Sequence, residues 1–241
     1  MCPLPLVHAS PSIRFSTVFD TVSDIVSDIV YTIGHSTHPA AQFIDLLRLH
    51  GVTAVCDVRS RPYSRFNPQF NRETLHASLR EAGVAYSFLG RELGVRSDDP
   101  ACYERDPISG SERVRYERLA RTALFRAGLD RLRAGMQTYR VALMCAEKEP
   151  LECHRTILVV RQLIACGPSV DVRHIHADGR LERHEDALER LVRMLALPAA
   201  SLVHSREELF VEAYRRQGAR MAYERRPSRV DASGSETERA D

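Results

Sequence analysis

Cys145 closes one apolar run, Val141 to Met144, and ten residues further on Arg155 opens another, Thr156 to Ala165. Strand, thiol, loop, arginine, helix is a layout in which a helix N-terminus can lower the pKa of a sulfur and hold an anion beside it. Pro150 suits a first helical turn, so amides near Glu152 and Cys153 are expected to face an anion. Cys145 is then the candidate nucleophile, with His35 or Glu147 carrying protons. Arg59 and Arg155 are expected to grip the anionic group, with Ser36 and His154 beside them and Asp57 orienting Arg59 or His35. This chemistry calls for a small anionic substrate, phosphate- or nucleotide-like, and it is also compatible with nucleic acid.

Thiol-dependent phosphatases and rhodanese-type sulfurtransferases use a shorter interval, Cys-x5-Arg. Here it is Cys-x9-Arg, and Leu151 stands where their arginine would be. Their close-fitting oxyanion cradle is therefore not expected. A second reading is a non-catalytic module that recognises an anion or nucleic acid with the same arginines, Cys145 being merely packed. A third is a metal-assisted hydrolase using Cys145, Cys153, His154 and His35. The spacing Cys-x7-Cys-His departs from common zinc patterns. Cys153 and His154, if adjacent on one helix, would point in different directions. No metal ligands and no cofactor are assigned on this basis, zinc being the minor alternative. Neither a Gly-x-Gly-x-x-Gly fingerprint nor a P-loop is present, which argues against dinucleotide and Walker-type nucleotide binding.

These residues need a frame. Ile29–Ile33, Val52–Cys56, Val84–Leu89, Val141–Met144 and Val170–Ile175 read as β-branched, apolar strands. Between them lie helical patterns: one from Pro39 to Leu49, with Ser36 or Thr37 as its cap, then Glu73–Ala82, Tyr116–Ala134 and Thr156–Ala165. Such alternation predicts a three-layer α/β fold. Its sheet is mostly parallel, with about five strands and helices on both faces, and C-terminal helices follow over Leu181–Leu195 and Glu207–Tyr223. Ligands of such sheets bind beyond the carboxyl ends of the strands, where these polar residues collect. Residues 94–111 read as a long loop, a candidate lid. The domain plan is a flexible extension over 1–28, a core over 29–180, a helical extension over 181–224 and a disordered tail over 225–241.

Net charge is +2, so bulk charge directs the chain to neither nucleic acid nor membrane, and Lys148 is the sole lysine. Six cysteines without a disulfide spacing suit a reducing cytoplasm. No secretory pattern opens the chain, and no apolar run approaches the ~20 residues of a membrane helix. Oligomeric state leaves no mark on the sequence.

Taken together, Tyr31–Ser36, Asp57–Ser60 with Ser64–Phe70, Leu89–Gly90, and Cys145-Ala146-Glu147 with Cys153-His154-Arg155 resemble the bacterial family called domain of unknown function 488. The likeness spans residues 30 to 180, and Glu212–Gln217 is similar to its longer members. The resemblance implies that Gly34, His35, Ser36, Asp57, Arg59, Cys145, Glu147, Cys153, His154 and Arg155 belong to family motifs. It brings no reaction with it.

Overall fold

Strand β1 (Ile29–Gly34) alternates Tyr31 and Ile33 on one face with Val30 and Thr32 on the other, and so buries both sides. The computed structural model describes residues 29–198 and 205–225. The extension expected over 1–28 and the tail beyond 225 lie outside the described residues. Helix α1 (Ala40–Leu49) leads to β2 (Ala54–Asp57), and α2 (Arg72–Glu81) to β3 (Ala85–Phe88). After the short α3 (Gly90–Leu93) come β4 (Tyr103–Arg105), β5 (Glu112–Val114), α4 (Tyr116–Leu119) and α5 (Ala123–Met136). Strand β6 (Val141–Cys145) precedes a 3-10 turn at Pro150–Glu152, a π-helical segment at Arg155–Val160 and α6 (Arg161–Ala165). The chain continues through β7 (Asp171–Ile175), β8 (Leu181–Arg183), α7 (His184–Met194), α8 (Arg206–Met221) and β9 (Glu224–Arg225).

The main sheet runs β3-β2-β6-β1-β7-β8, parallel except for the β7–β8 pair. Helices α1 and α2 cover one face with Phe43, Leu47, Leu75 and Leu79. On the other face, α5 to α8 pack Phe125, Leu132, Leu163, Leu191 and Ala213 against Val30, Leu143 and Val172. This is the three-layer α/β arrangement expected, with one added antiparallel strand. Leu181–Arg183, expected as helix, pairs with β7 instead, because Arg173, His174 and Ile175 leave that sheet edge open to pairing.

Residues 94–111 are not the open loop the composition suggested. Asp99 caps a 3-10 turn at Pro100–Cys102, and Tyr103–Arg105 then pairs with Glu112–Val114, which pairs in turn with Glu224–Arg225. Short strands with charged tips carry too little apolar pattern to be read from sequence. The expected 116–134 helix is two: Thr122 accepts from the amide of Phe125 and begins α5 afresh.

A buried hydrogen-bonded chain joins the sheet to α7 and α8. Thr32 Oγ1 meets His174 Nδ1 at 2.8 Å, His174 Nε2 meets His184 Nδ1 at 3.0 Å, and His184 Nε2 meets the Tyr214 hydroxyl at 2.5 Å. Each neutral imidazole offers one donor and one acceptor to this chain, and an added proton would set donor against donor. Burial lowers the pKa of both histidines, His184 to about 4 and His174 well below its usual range, where the nearby His184 adds to the effect. The unfolded chain therefore binds more protons below pH ~6.5. Stability is retained above that value and lost as pH falls through the window down to about 4. Urea unfolding midpoints should drop between pH 7 and 5, by up to about 1.4 kcal/mol per pH unit for each histidine. His184→Asn should be less stable at neutral pH yet show a shallower acid slope, and an unchanged slope would refute the assignment.

Candidate functional site: a cluster of two thiols, an imidazole and a carboxylate

The strand order decides which candidate residues can meet. Strand β6 lies between β2 and β1, so Cys145 stands opposite Gly34 and Asp57 opposite Met144. The connection from β1 to β2 passes over this position before β6 fills it, which places the site at the reversal point of the sheet. Gly34 permits the close approach that follows: a Cβ there would sit 1.9 Å from the Glu147 carbonyl oxygen. The amides of His35 and Ser36 donate to the carbonyls of Cys145 and Ala146, both at 2.9 Å.

Beyond β6 the chain folds back on itself. Glu149 caps the 3-10 turn through the Leu151 amide, and Cys153 follows in extended conformation, φ −136° and ψ 139°. His154 is the first αR residue, immediately before the π-helical segment. Cys153 and His154 therefore do not share a helix. The expectation that they diverge fails for this reason, and both turn toward Cys145. Cys145 Sγ is 3.7 Å from His154 Nδ1, and Cys153 Sγ is 4.0 Å from it. Cys153 Sγ lies 3.0 Å from Glu147 Oε2. Donor atoms of Cys145, Glu147, Cys153 and His154 all lie within 4.8 Å of one another. Of the amides expected to be free beside Pro150, that of Glu152 bonds the Glu149 carbonyl, and the preceding Leu151 amide bonds Glu149 Oε1.

The imidazole is oriented by the backbone. His154 Nε2 lies 3.0 Å from the Val58 carbonyl and donates to it, so Nδ1 is the nitrogen turned to the sulfurs. Val58 is itself held by the network around it. Asp57 receives Arg59 Nε at 2.9 Å and Arg59 Nη2 at 2.7 Å, and the Tyr86 hydroxyl donates to Asp57 Oδ2. Arg59 Nη2 also donates to the Phe70 carbonyl at 2.8 Å, and Nη1 meets His35 Nε2 at 3.1 Å. His35 donates from Nδ1 to the Ser36 carbonyl and stacks on Phe70. Burial first, then the Arg59 charge, lower its pKa to about 4. Asp57, Arg59 and His35 thus form a brace that fixes the Val58 carbonyl rather than a set of groups open to substrate. Ser36 does not cap α1, whose N-cap position is Pro39. Its backbone, at φ 48°, makes the turn.

Arg155 is completely buried. It donates to the Glu147 carbonyl at 2.7 Å and to that of Lys148 at 3.4 Å, closing the loop over the cluster. No carboxylate pairs with it among the described residues. A buried guanidinium requires a counter-charge, and the charge of Arg155 acts on both thiols.

The electrostatics divide the two cysteines. Burial, then the neighbouring Cys153, push the Cys145 thiol well above its ordinary range. Cys153 is also pushed up by burial, but the Cys145 hydrogen bond, Arg155 and His154 outweigh this and hold it well below that range. Burial lowers His154, and contact with Cys153 more than restores it, so its pKa rises. Glu147 is the cluster member exposed to solvent, yet its carboxylate leans inward; desolvation and then Cys153 raise its pKa. Cys145 is the less ionised of the two sulfurs, and both are buried, at 2% and 1% exposure. Sequence reasoning left Cys153 out of the catalytic set. The Cys-His-Arg triplet that closes the loop was the available pointer to it.

The family described as Domain of unknown function DUF488 matches residues 39–161. The chain belongs to this family. No curated protein and no solved structure matches it. The family segment contains all four clustered residues and the Asp57–Arg59 brace. Helices α7 and α8 lie beyond it but reach back: Arg190 pairs with Glu149 at 2.8 Å, and Gln217 donates to the Leu151 carbonyl at 2.9 Å. No helix among the described residues is long and apolar enough to cross a membrane.

Proposed function

We propose that this protein is a metalloprotein that binds one zinc ion through Cys145, Cys153, His154 and Glu147 and uses it to assist hydrolysis of an anionic substrate. The observation that carries this reading is the orientation of His154. With Nε2 committed to Val58, Nδ1 is the nitrogen left to bind a metal, and it faces both sulfurs. A tetrahedral zinc site with Zn–S of about 2.3 Å and Zn–N or Zn–O of about 2.0–2.2 Å has donor–donor edges of about 3.3–3.8 Å. The observed 3.7, 4.0 and 3.0 Å separations bracket that range. A thiolate and a carboxylate so close need a proton or a cation between them. Two thiolates and one carboxylate would be balanced by a divalent ion together with Arg155, which leaves the buried centre neutral.

Three buried donors and one solvent-facing carboxylate suit a site at which water can enter. Zinc held there would supply a bound water of lowered pKa, and Glu147, the exposed member of the cluster, would be the group able to accept a proton beside it. A thiol mechanism would require substrate to reach sulfurs that are 1–2% exposed, whereas a metal-bound water would be reached from the side of the exposed Glu147. Tag-free protein should carry about one zinc per chain by elemental analysis. Hydrolysis of chromogenic phosphate or carboxyl esters should vanish on chelation and return with zinc. Protein without stoichiometric metal would end this reading.

A further inference from the structure

Two clefts meet at Arg161, on the face of the sheet that carries Cys145. One, of about 390 Å³, lies between β4–β5 and α8 and includes Arg105, Tyr116 and Tyr214 in its wall. The other, of about 550 Å³, runs beside α5 past Arg121, Arg126 and Arg133. Tyr116, Glu117 and Arg161 line both. The volumes fall within the usual range for small-ligand sites.

Charge in the joined clefts is not balanced. Arg105, Arg121, Arg126, Arg133 and Arg161 make no ion pair among the described residues. Arg126 donates to the Arg121 carbonyl and Arg133 to that of Leu163, so both cations are held in place by neutral groups. Of the acids, Glu104 and Glu117 pair with Arg115, and Asp106 accepts the amides of Ile108 and Ser109 in its own turn. Asp130 also faces the second cleft. Arg161 stands over the Tyr214 ring at 5.0 Å, a stacked guanidinium whose edge stays free for forked bonds to an anion.

Tyr116 lines both clefts and is also part of the buried apolar core that contains Cys145 and Cys153. The same ring packs near Gly218 of α8. A ligand in the cleft therefore lies against that core.

We infer that the paired clefts around Arg161 bind a phosphorylated organic anion of nucleotide size. This binding stands on the arginines and does not depend on the metal reading. The test is calorimetric titration of the full-length protein with ADP and with inorganic pyrophosphate, as purified and after chelation. ADP should bind more tightly than pyrophosphate, because it can enter both clefts, and its affinity should fall with added salt. Arg161→Gln should weaken ADP binding about tenfold, the expected loss of a charge-assisted contact, with zinc content unchanged. Arg80→Gln, on the distant α2 helix, should leave affinity as it was. Wild-type affinity in Arg161→Gln would overturn the proposal, as would failure of ADP to bind at about millimolar concentration, or binding of a single-stranded oligonucleotide without ADP. Zinc present with no ADP binding removes this inference alone. ADP binding to protein that never holds metal removes the metal reading alone.

Discussion

Cys153→Ala should leave the protein without metal. The other three donors cannot replace a buried thiolate, because zinc affinity of such sites depends on soft sulfur ligands and on a complete coordination set. Zinc content should fall from about one per chain to a trace, while Cys166→Ala, which alters an exposed cysteine bonded only to Gln162, should keep the full amount. Stability should fall with the metal. A ligand present at a thousand times its Kd contributes about 4 kcal/mol, and for a chain of this size that is a drop in Tm of roughly 10 °C. The variant should melt with chelated wild-type protein, and added zinc should shift the wild type but not the variant. Equal Tm with and without zinc in the wild type would mean that the four side chains hold nothing.

Arg155→Met should be the most damaging change outside the ligands. Arg155 is fully buried, ties down the carbonyls of Glu147 and Lys148, and carries the cation that offsets the cluster. Methionine fills much of the volume but leaves two carbonyls and the anionic donors without a partner. Removing one member of a buried charged pair typically costs about 3–5 kcal/mol. Urea unfolding should report a loss of that size, and metal should dissociate faster because Glu147 is no longer held. Arg155→Lys keeps the charge, but an ammonium cannot reproduce the forked contact. It should fall between wild type and Arg155→Met in both stability and metal retention. A methionine variant as stable as the wild type would show that the guanidinium is not needed as counter-charge.

The contrast between sequence and structure follows from what each residue pattern encodes. Alternating apolar strands and amphipathic helices disclose a parallel sheet, because burying both faces of β1 and β6 demands β-branched and apolar runs. The gathering of Gly34, Asp57 and Cys145 at one rim depends on the strand order, and nothing local to those segments states that β6 inserts between β2 and β1. The site was therefore legible as a list of segments and not as a geometry. Cys153 stayed outside the catalytic set, and His154 was placed beside the anion and not beside the sulfurs, because a helix turn from Pro150 would point the two apart. A 3-10 turn and one extended residue delay it until Arg155, and that small shift turns the two side chains inward. Arg59 was read as an anion grip, since its type suits that task. Its nearest neighbour in space, Asp57, takes two of its donors before any ligand can.

The β4–β5 hairpin and its third strand were hidden for a different reason. Their strands are two or three residues long and carry arginine and glutamate, so their order comes from pairing across the chain and not from local pattern. The Glu212–Gln217 motif, in contrast, is explained by packing: Tyr214 ends the histidine chain and Gln217 holds the loop that leads into Cys153.

Zinc-edge X-ray absorption on tag-free protein, purified without added metal, bears most directly on the proposed centre. The expected spectrum shows two sulfur neighbours at about 2.3 Å and two nitrogen or oxygen neighbours at about 2.0–2.2 Å. Protein free of zinc, or zinc whose nearest shell contains no sulfur, would contradict it.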